Sequence, residues 1–124
     1  MAGRIIQAGP RLSSGGGGGT SGGRTTLAIA AGVVTPDTGF LTNFVVLDAS
    51  VAIDPPAGSG DEFYLFLDQD STGLWVPTFD AIYLVDAWRA LADLKPDTYS
   101  SWHFVFDGTN WRHVGTPIFD VSLT

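Results

Sequence analysis

The chain of 124 residues has no cysteine. Disulfide frameworks, thiolate metal sites, cysteine nucleophiles and iron–sulfur clusters are excluded together. Charge is also scarce, at 15% of residues, well under the usual quarter of a globular chain. Six cationic side chains stand against 13 acids, for a net charge of −7. An acidic chain with so few cations is a poor ligand for phosphate backbones, so nucleic acid is not an expected partner. No apolar run approaches the ~18 residues of a membrane-spanning helix. The first residues also lack the apolar stretch of ~7–15 residues that a signal peptide carries. The 16 glycines are clustered rather than periodic, which excludes a collagen-like helix. What remains is 44% apolar and 12% aromatic, enough to bury the core of one domain.

Charge divides the chain in two. Residues 1–26 hold Arg4, Arg11 and Arg24 and no acid, whereas residues 27–124 carry every acid against Arg89, Lys95 and Arg112. The leader contains an unbroken glycine run, Gly15 to Gly19, with serines and threonines around it. Such a stretch loses much entropy on ordering and offers no side chain to bury in return. Ahead of it, Arg4, Ile5, Ile6, Arg11 and Leu12 form a basic, apolar peptide on a glycine tether. We therefore read residues 1–26 as an extended anchoring arm and residues 27–124 as the folded domain.

Strand signals dominate the domain. Thr25 to Val34 is β-rich and ends at the turn sequence Pro36-Asp37-Thr38-Gly39. From Phe44 to Ile53, Val45, Leu47, Ala49, Val51 and Ile53 share one parity, the pattern of a half-buried strand. Pro55 to Gly60 stops it. Glu62 to Leu67 is apolar on both faces, as a central strand would be, and Trp75 to Val85 reads as one or two short strands. Residues 86–95 are the only helix-favouring stretch, ended by Pro96.

The clearest element is a hairpin of Tyr99–Phe106 and Trp111–Val114 about Asp107-Gly108-Thr109-Asn110. Pairing Phe106 with Trp111 and Phe104 with His113 puts Trp102, Phe104, Phe106, Trp111 and His113 on one face. His103, Val105, Arg112 and Val114 take the other. Ile118 to Leu123 is expected to add a last strand. Many short strands between turn-rich loops predict an all-β domain, an antiparallel β-sandwich or jelly roll.

Few residues invite chemistry. Ser100, Ser101 and His103 lie close in sequence without a nucleophile-elbow pattern. The hairpin register separates His103 from His113, so they do not share an ion. Asp61 and Glu62 border a loop, but no spacing distinguishes them as a glycosidase pair. The glycine run lacks the Lys-Ser/Thr of a phosphate loop. Asp68-Gln69-Asp70-Ser71-Thr72-Gly73 opens like a calcium loop, with Asp68 and Asp70 as candidate ligands, yet Phe79 stands where the bidentate glutamate belongs. No cofactor is expected. Trp102 and Trp111 are expected in the core. Trp75 and Trp88 lie nearer turns and are the candidate surface-recognition aromatics.

One stretch is familiar. The succession Phe44-Val45-Val46-Leu47-Asp48, Pro55-Pro56, Glu62-Phe63-Tyr64-Leu65-Phe66-Leu67-Asp68, Asp70-Ser71-Thr72-Gly73, Trp75-Val76-Pro77 and Phe104-Val105-Phe106-Asp107-Gly108-Thr109-Asn110-Trp111 resembles the small β-sandwich domains of tailed-bacteriophage virion proteins. These include head decoration proteins and head or tail fibres. The likeness covers residues 27 to 115 and departs at the helix-prone residues 86–95. It implies a non-enzymatic structural role, often as a homotrimer, on a capsid or fibre. A capsid decoration (cement) protein anchored on the major capsid protein by its arm is the leading expectation. A receptor- or glycan-binding fibre module is the alternative.

Overall fold

The computed structural model describes residues 22–86 and 95–123, and all regular structure among them is β. The elements are β1 (Arg24–Thr26), β2 (Val33–Val34), β3 (Thr42–Leu47), β4 (Val51–Ile53), β5 (Glu62–Gln69), β6 (Pro77–Phe79), β7 (Tyr83–Leu84), β8 (Thr98–Phe106) and β9 (Trp111–Ser122). Six strands form one sheet in the order β1-β3-β5-β8-β9-β7, and three form a second in the order β2-β4-β6. No helix of the described residues is long and apolar enough to cross a membrane. Residues 87–94 of the expected helix lie outside the described residues.

The chain winds. From β1 to β6 it alternates between the two sheets, so each strand returns beside the strand two before it and runs the same way. β1 pairs with β3, β3 with β5, β2 with β4 and β4 with β6, all parallel. Antiparallel pairing is confined to β5–β8 and β8–β9, and β7 adds to β9 in parallel. This corrects the antiparallel expectation. From β1 to β6 no two consecutive strands pair as a hairpin; each strand passes to the other sheet, and the next strand of its own sheet lies alongside it in parallel, as a long connection allows. Arg24–Thr26, at the end of the expected N-terminal arm, pair with Thr42–Phe44 and belong to the sheet.

Two expected strands are each split. The stretch Thr25–Val34 breaks at Ala31-Gly32, where both residues have positive φ (53° and 77°) and Ala30 and Val33 exchange backbone hydrogen bonds of 3.0 Å. That is the pattern of a type I′ turn, which swings the chain into the second sheet. The stretch Phe44–Ile53 breaks at residues 48–50, yet its parity survives: Val45, Leu47, Val51 and Ile53 are all buried. A corner that keeps the same side chains facing inward leaves no mark on a period of two.

The core draws on both sheets. Val34, Val51 and Ile53 from the smaller sheet join Val45, Leu47, Phe63, Leu65, Leu67, Trp102, Phe104 and Trp111 in one cluster. Phe63 contacts Phe104, Trp111 and Tyr83 at centroid distances of 5.6, 5.1 and 6.5 Å. The central place of β5 and the core places of Trp102 and Trp111 match the sequence reading. So does the hairpin register, Phe106 with Trp111 and Phe104 with His113. The expected last strand is instead the end of β9, continuous across an irregularity at Gly115, whose φ of +78° suits a bulge.

Buried side-chain amides hold the crossovers. Asn43, fully buried, accepts from the Asp37 N–H at 2.7 Å and donates to the Asp37 and Phe40 carbonyls at 3.1 and 3.2 Å. Gln69 does the same for the other end, accepting from the Trp75 N–H at 3.1 Å and donating to its carbonyl at 2.8 Å. Thr38 donates to the Ala57 carbonyl at 2.8 Å and accepts from the Gly60 N–H at 2.9 Å. Without them, buried loop backbone would lose its partners, a cost of ~1–3 kcal/mol per group.

Two outcomes are expected in chemical denaturation. Asn43→Ala lowers stability by about 2–4 kcal/mol, because it strands buried backbone groups. Ala31→Asn raises it by roughly 0.5–1 kcal/mol, since asparagine tolerates positive φ better than alanine does.

Candidate functional site

The acids of the loops are structural. Asp70 Oδ1 accepts from the Thr72 and Gly73 N–H groups, each at 3.0 Å, and from the Trp75 indole N–H at 2.9 Å. These donors hold its carboxyl below the usual range, the Gly73 N–H most of all. Asp107 is built alike: Oδ1 accepts from the Thr109 and Asn110 N–H groups, and Oδ2 takes the Arg112 Nε at 2.6 Å. Its pKa is lowered to about 2, with the Asn110 N–H as the first cause. Asp37 and Asp80 cap Gly39 and Ile82 through the same short turn, 2.8 and 2.9 Å. Aspartate closes on its own backbone two residues ahead, which is why these acids sit where the chain reverses.

This corrects the calcium reading of Asp68 and Asp70. Asp70 is surrounded by three N–H donors, the inverse of a cation's oxygen cage. Asp68 lies on β5, paired with Val46 and Tyr99, and burial pushes its carboxyl up. No group of three or more potential ligands is placed to hold a metal among the described residues.

Trp75 is corrected as well. It is half-buried against the core, its indole tied to Asp70 and its backbone to Gln69. Trp88 lies outside the described residues, as do Arg4, Ile5, Ile6, Arg11 and Leu12.

The structure instead gathers partly exposed aromatics on the outer face of the six-stranded sheet. On β3 and β5, Phe44, Val46, Tyr64 and Phe66 alternate with buried neighbours and point away from the core. Register continues the rows across the sheet. Thr26, Phe44, Phe66, Ser101 and Ile118 form one row; Arg24, Thr42, Tyr64, His103 and Val114 form the next. Val46, Asp68, Tyr99 and Val121 form a third. Phe44 stacks on Phe66 at 4.8 Å, and Phe66 meets Tyr99 at 5.7 Å. Tyr64 lies flat on His103, 4.2 Å apart with an 11° angle, and His103 Nε2 meets Glu62 Oε2 at 3.0 Å. Val46 is 55% and Ile118 49% exposed.

The sequence carried part of this signal. β5 reads as apolar on both faces, and the hairpin register puts His103 opposite His113 in facing. His113 indeed packs edge-on against Phe104, on the core side. What the sequence could not show was β3 beside β5, which brings Phe44 and Val46 into the same patch. Outward aromatic and aliphatic side chains gathered on one sheet face make it the candidate interaction surface.

Comparison with family models, curated proteins and solved structures finds no match to the chain.

Asp70 and Asp107 give a pH signature. Their carboxyls are held below the unfolded value of ~3.9, so their stabilisation is complete above that pH. It is lost as pH falls from about 4 toward about 2, the folded value of Asp107. Thermal melts between pH 5 and pH 2 should show a falling midpoint. The Asp70→Asn/Asp107→Asn double variant should show a shallower fall, and an unchanged slope would contradict this role.

Proposed function

We propose that the protein is a non-enzymatic structural component of a tailed-phage virion, a capsid decoration protein working as a homotrimer. In this reading Arg4, Ile5, Ile6, Arg11 and Leu12 of the N-terminal arm, residues 1–26, anchor it to the major capsid protein, and the two-sheet body forms the β-sandwich of such proteins. The observation that carries the reading is the outward aromatic and aliphatic face on the larger sheet, a surface suited to protein docking rather than to chemistry. The sequence resemblance over residues 27–115 points the same way. So does the use of loop acids as turn caps. An arm that orders on docking binds weakly by itself, but copies on a symmetric lattice offset that through avidity.

The alternative is a receptor- or glycan-binding module of a fibre, in which Trp75, its indole edge fixed by Asp70, would offer a ring face.

Immunogold labelling of purified particles of the encoding phage, with antibody against the body, separates these readings. Label over the head is the expected result. Label confined to the tail tip would establish the fibre role instead, and particles without label would overturn a virion role.

A further inference from the structure

The hairpin that joins β8 to β9 turns on the one Asp-Gly pair of the chain, Asp107-Gly108. Such a pair is open to rearrangement, because no side chain on Gly108 hinders its backbone nitrogen. That nitrogen can attack Asp107 Cγ, forming one C–N bond while one C–O bond breaks. The carboxyl hydroxyl leaves as water, taking the amide proton, and a succinimide ring remains. Water then opens the ring at either carbonyl. Opening at the side-chain carbonyl restores aspartate. Opening at the main-chain carbonyl leaves isoaspartate, in which the backbone runs through Cβ and Cγ and is one atom longer.

The geometry opposes the first step in two ways. Ring closure needs a protonated carboxyl, since only then can water leave. Asp107 is held as a carboxylate: Oδ1 accepts from the Thr109 and Asn110 N–H groups at 2.9 and 2.8 Å, and Oδ2 from Arg112 Nε at 2.6 Å. The Asn110 N–H first, and the Arg112 guanidinium next, lower its pKa to about 2. Against ~3.9 in the unfolded chain, the protonated fraction at mildly acidic pH is roughly a hundredfold smaller. The same contacts also aim the carboxyl oxygens at residues 109, 110 and 112, whereas attack requires Cγ to turn toward the Gly108 nitrogen. Two of the three donors are main chain and come with the turn. Arg112 is the side chain among them, and it is 66% exposed, so core packing does not require an arginine there. Rearrangement at this bond would reach the core. The Asp107 N–H closes the hairpin on the Asn110 carbonyl at 3.0 Å. The next residue, Trp111, is 6% exposed, donates its N–H to the Ile82 carbonyl at 2.9 Å and sets its ring 5.1 Å from Phe63. A longer loop backbone would pull against that closure.

We propose that Asp107-Gly108 is the site at which this protein ages by isomerisation, and that Arg112 guards it by clamping the Asp107 carboxylate away from the Gly108 nitrogen. Arg112 then has a chemical role beyond its contribution to the turn. This does not depend on the virion role, and its failure would leave the particle-labelling result untouched.

The test is to age the full-length protein at mildly acidic pH, below its melting transition, and to read isoaspartate at residue 107 by fragmentation mass spectrometry. The native protein should isomerise about tenfold or more slowly than the same chain in concentrated urea. Arg112→Gln should raise the native rate about three- to tenfold. Arg112→Lys, which keeps the charge but lacks the Nε donor, should move it in the same direction. Val105→Ala alters the residue that faces Arg112 across the strand pair and keeps the arginine, so it should leave the rate unchanged. Thermal midpoints confirm that each variant is folded while it ages. A native rate unmoved by both Arg112 substitutions would overturn the proposal. So would an equal rise in Val105→Ala, which would make loosening of the hairpin the cause, or a native rate as fast as that in urea.

Discussion

Where this chain passes between its two sheets at residues 36–41 and 70–76, loop backbone lies against buried side chains, and each N–H and carbonyl withdrawn from water must find a partner. The side-chain amides of Asn43 and Gln69 meet that demand, one at the start of β3 and one at the end of β5. Each imitates a peptide group, donating and accepting against a loop that has no strand beside it. Thr38 adds a third clamp on residues 57–60. With the crossovers fixed, β1, β3 and β5 fall into parallel register, and the core closes between the sheets. The buried polar residues are therefore as much a part of the architecture as Phe63 and Trp102.

The same logic explains the acidic composition. An aspartate at a chain reversal satisfies backbone donors that the tight turn would otherwise leave to water. Asp37, Asp70, Asp80 and Asp107 all act this way. Negative charge accumulates at the loops while the outer sheet face stays largely apolar, with Glu62 and Asp68 as its acids on β5.

Local features of this fold were legible in the sequence where the signal was local. Asp107-Gly108 fixed the register of β8 and β9 correctly, and the apolar character of both faces of Glu62–Leu67 marked a central strand. The parity of Val45 through Ile53 identified the buried side chains but concealed the corner at residues 48–50, since inward-facing residues stay inward on both sides of it. Parallel pairing was not legible, because nothing in a period of two states which strand lies alongside. The site suffered likewise. Asp68-x-Asp70 had the composition of a cation loop, and only the positions of the Thr72, Gly73 and Trp75 N–H groups show that Asp70 faces donors instead. The outer patch needed the β3–β5 pairing before Phe44 and Phe66 could be seen as neighbours.

The central claim is that the outer face of the larger sheet is a contact surface. Hydroxyl-radical footprinting of the full-length protein, free and on the particle, addresses it directly. The account predicts that modification of Tyr64, Phe66 and Tyr99 falls severalfold on the particle, while Leu74, 69% exposed, is modified alike in both states. Equal modification of the face aromatics in the two states would contradict it.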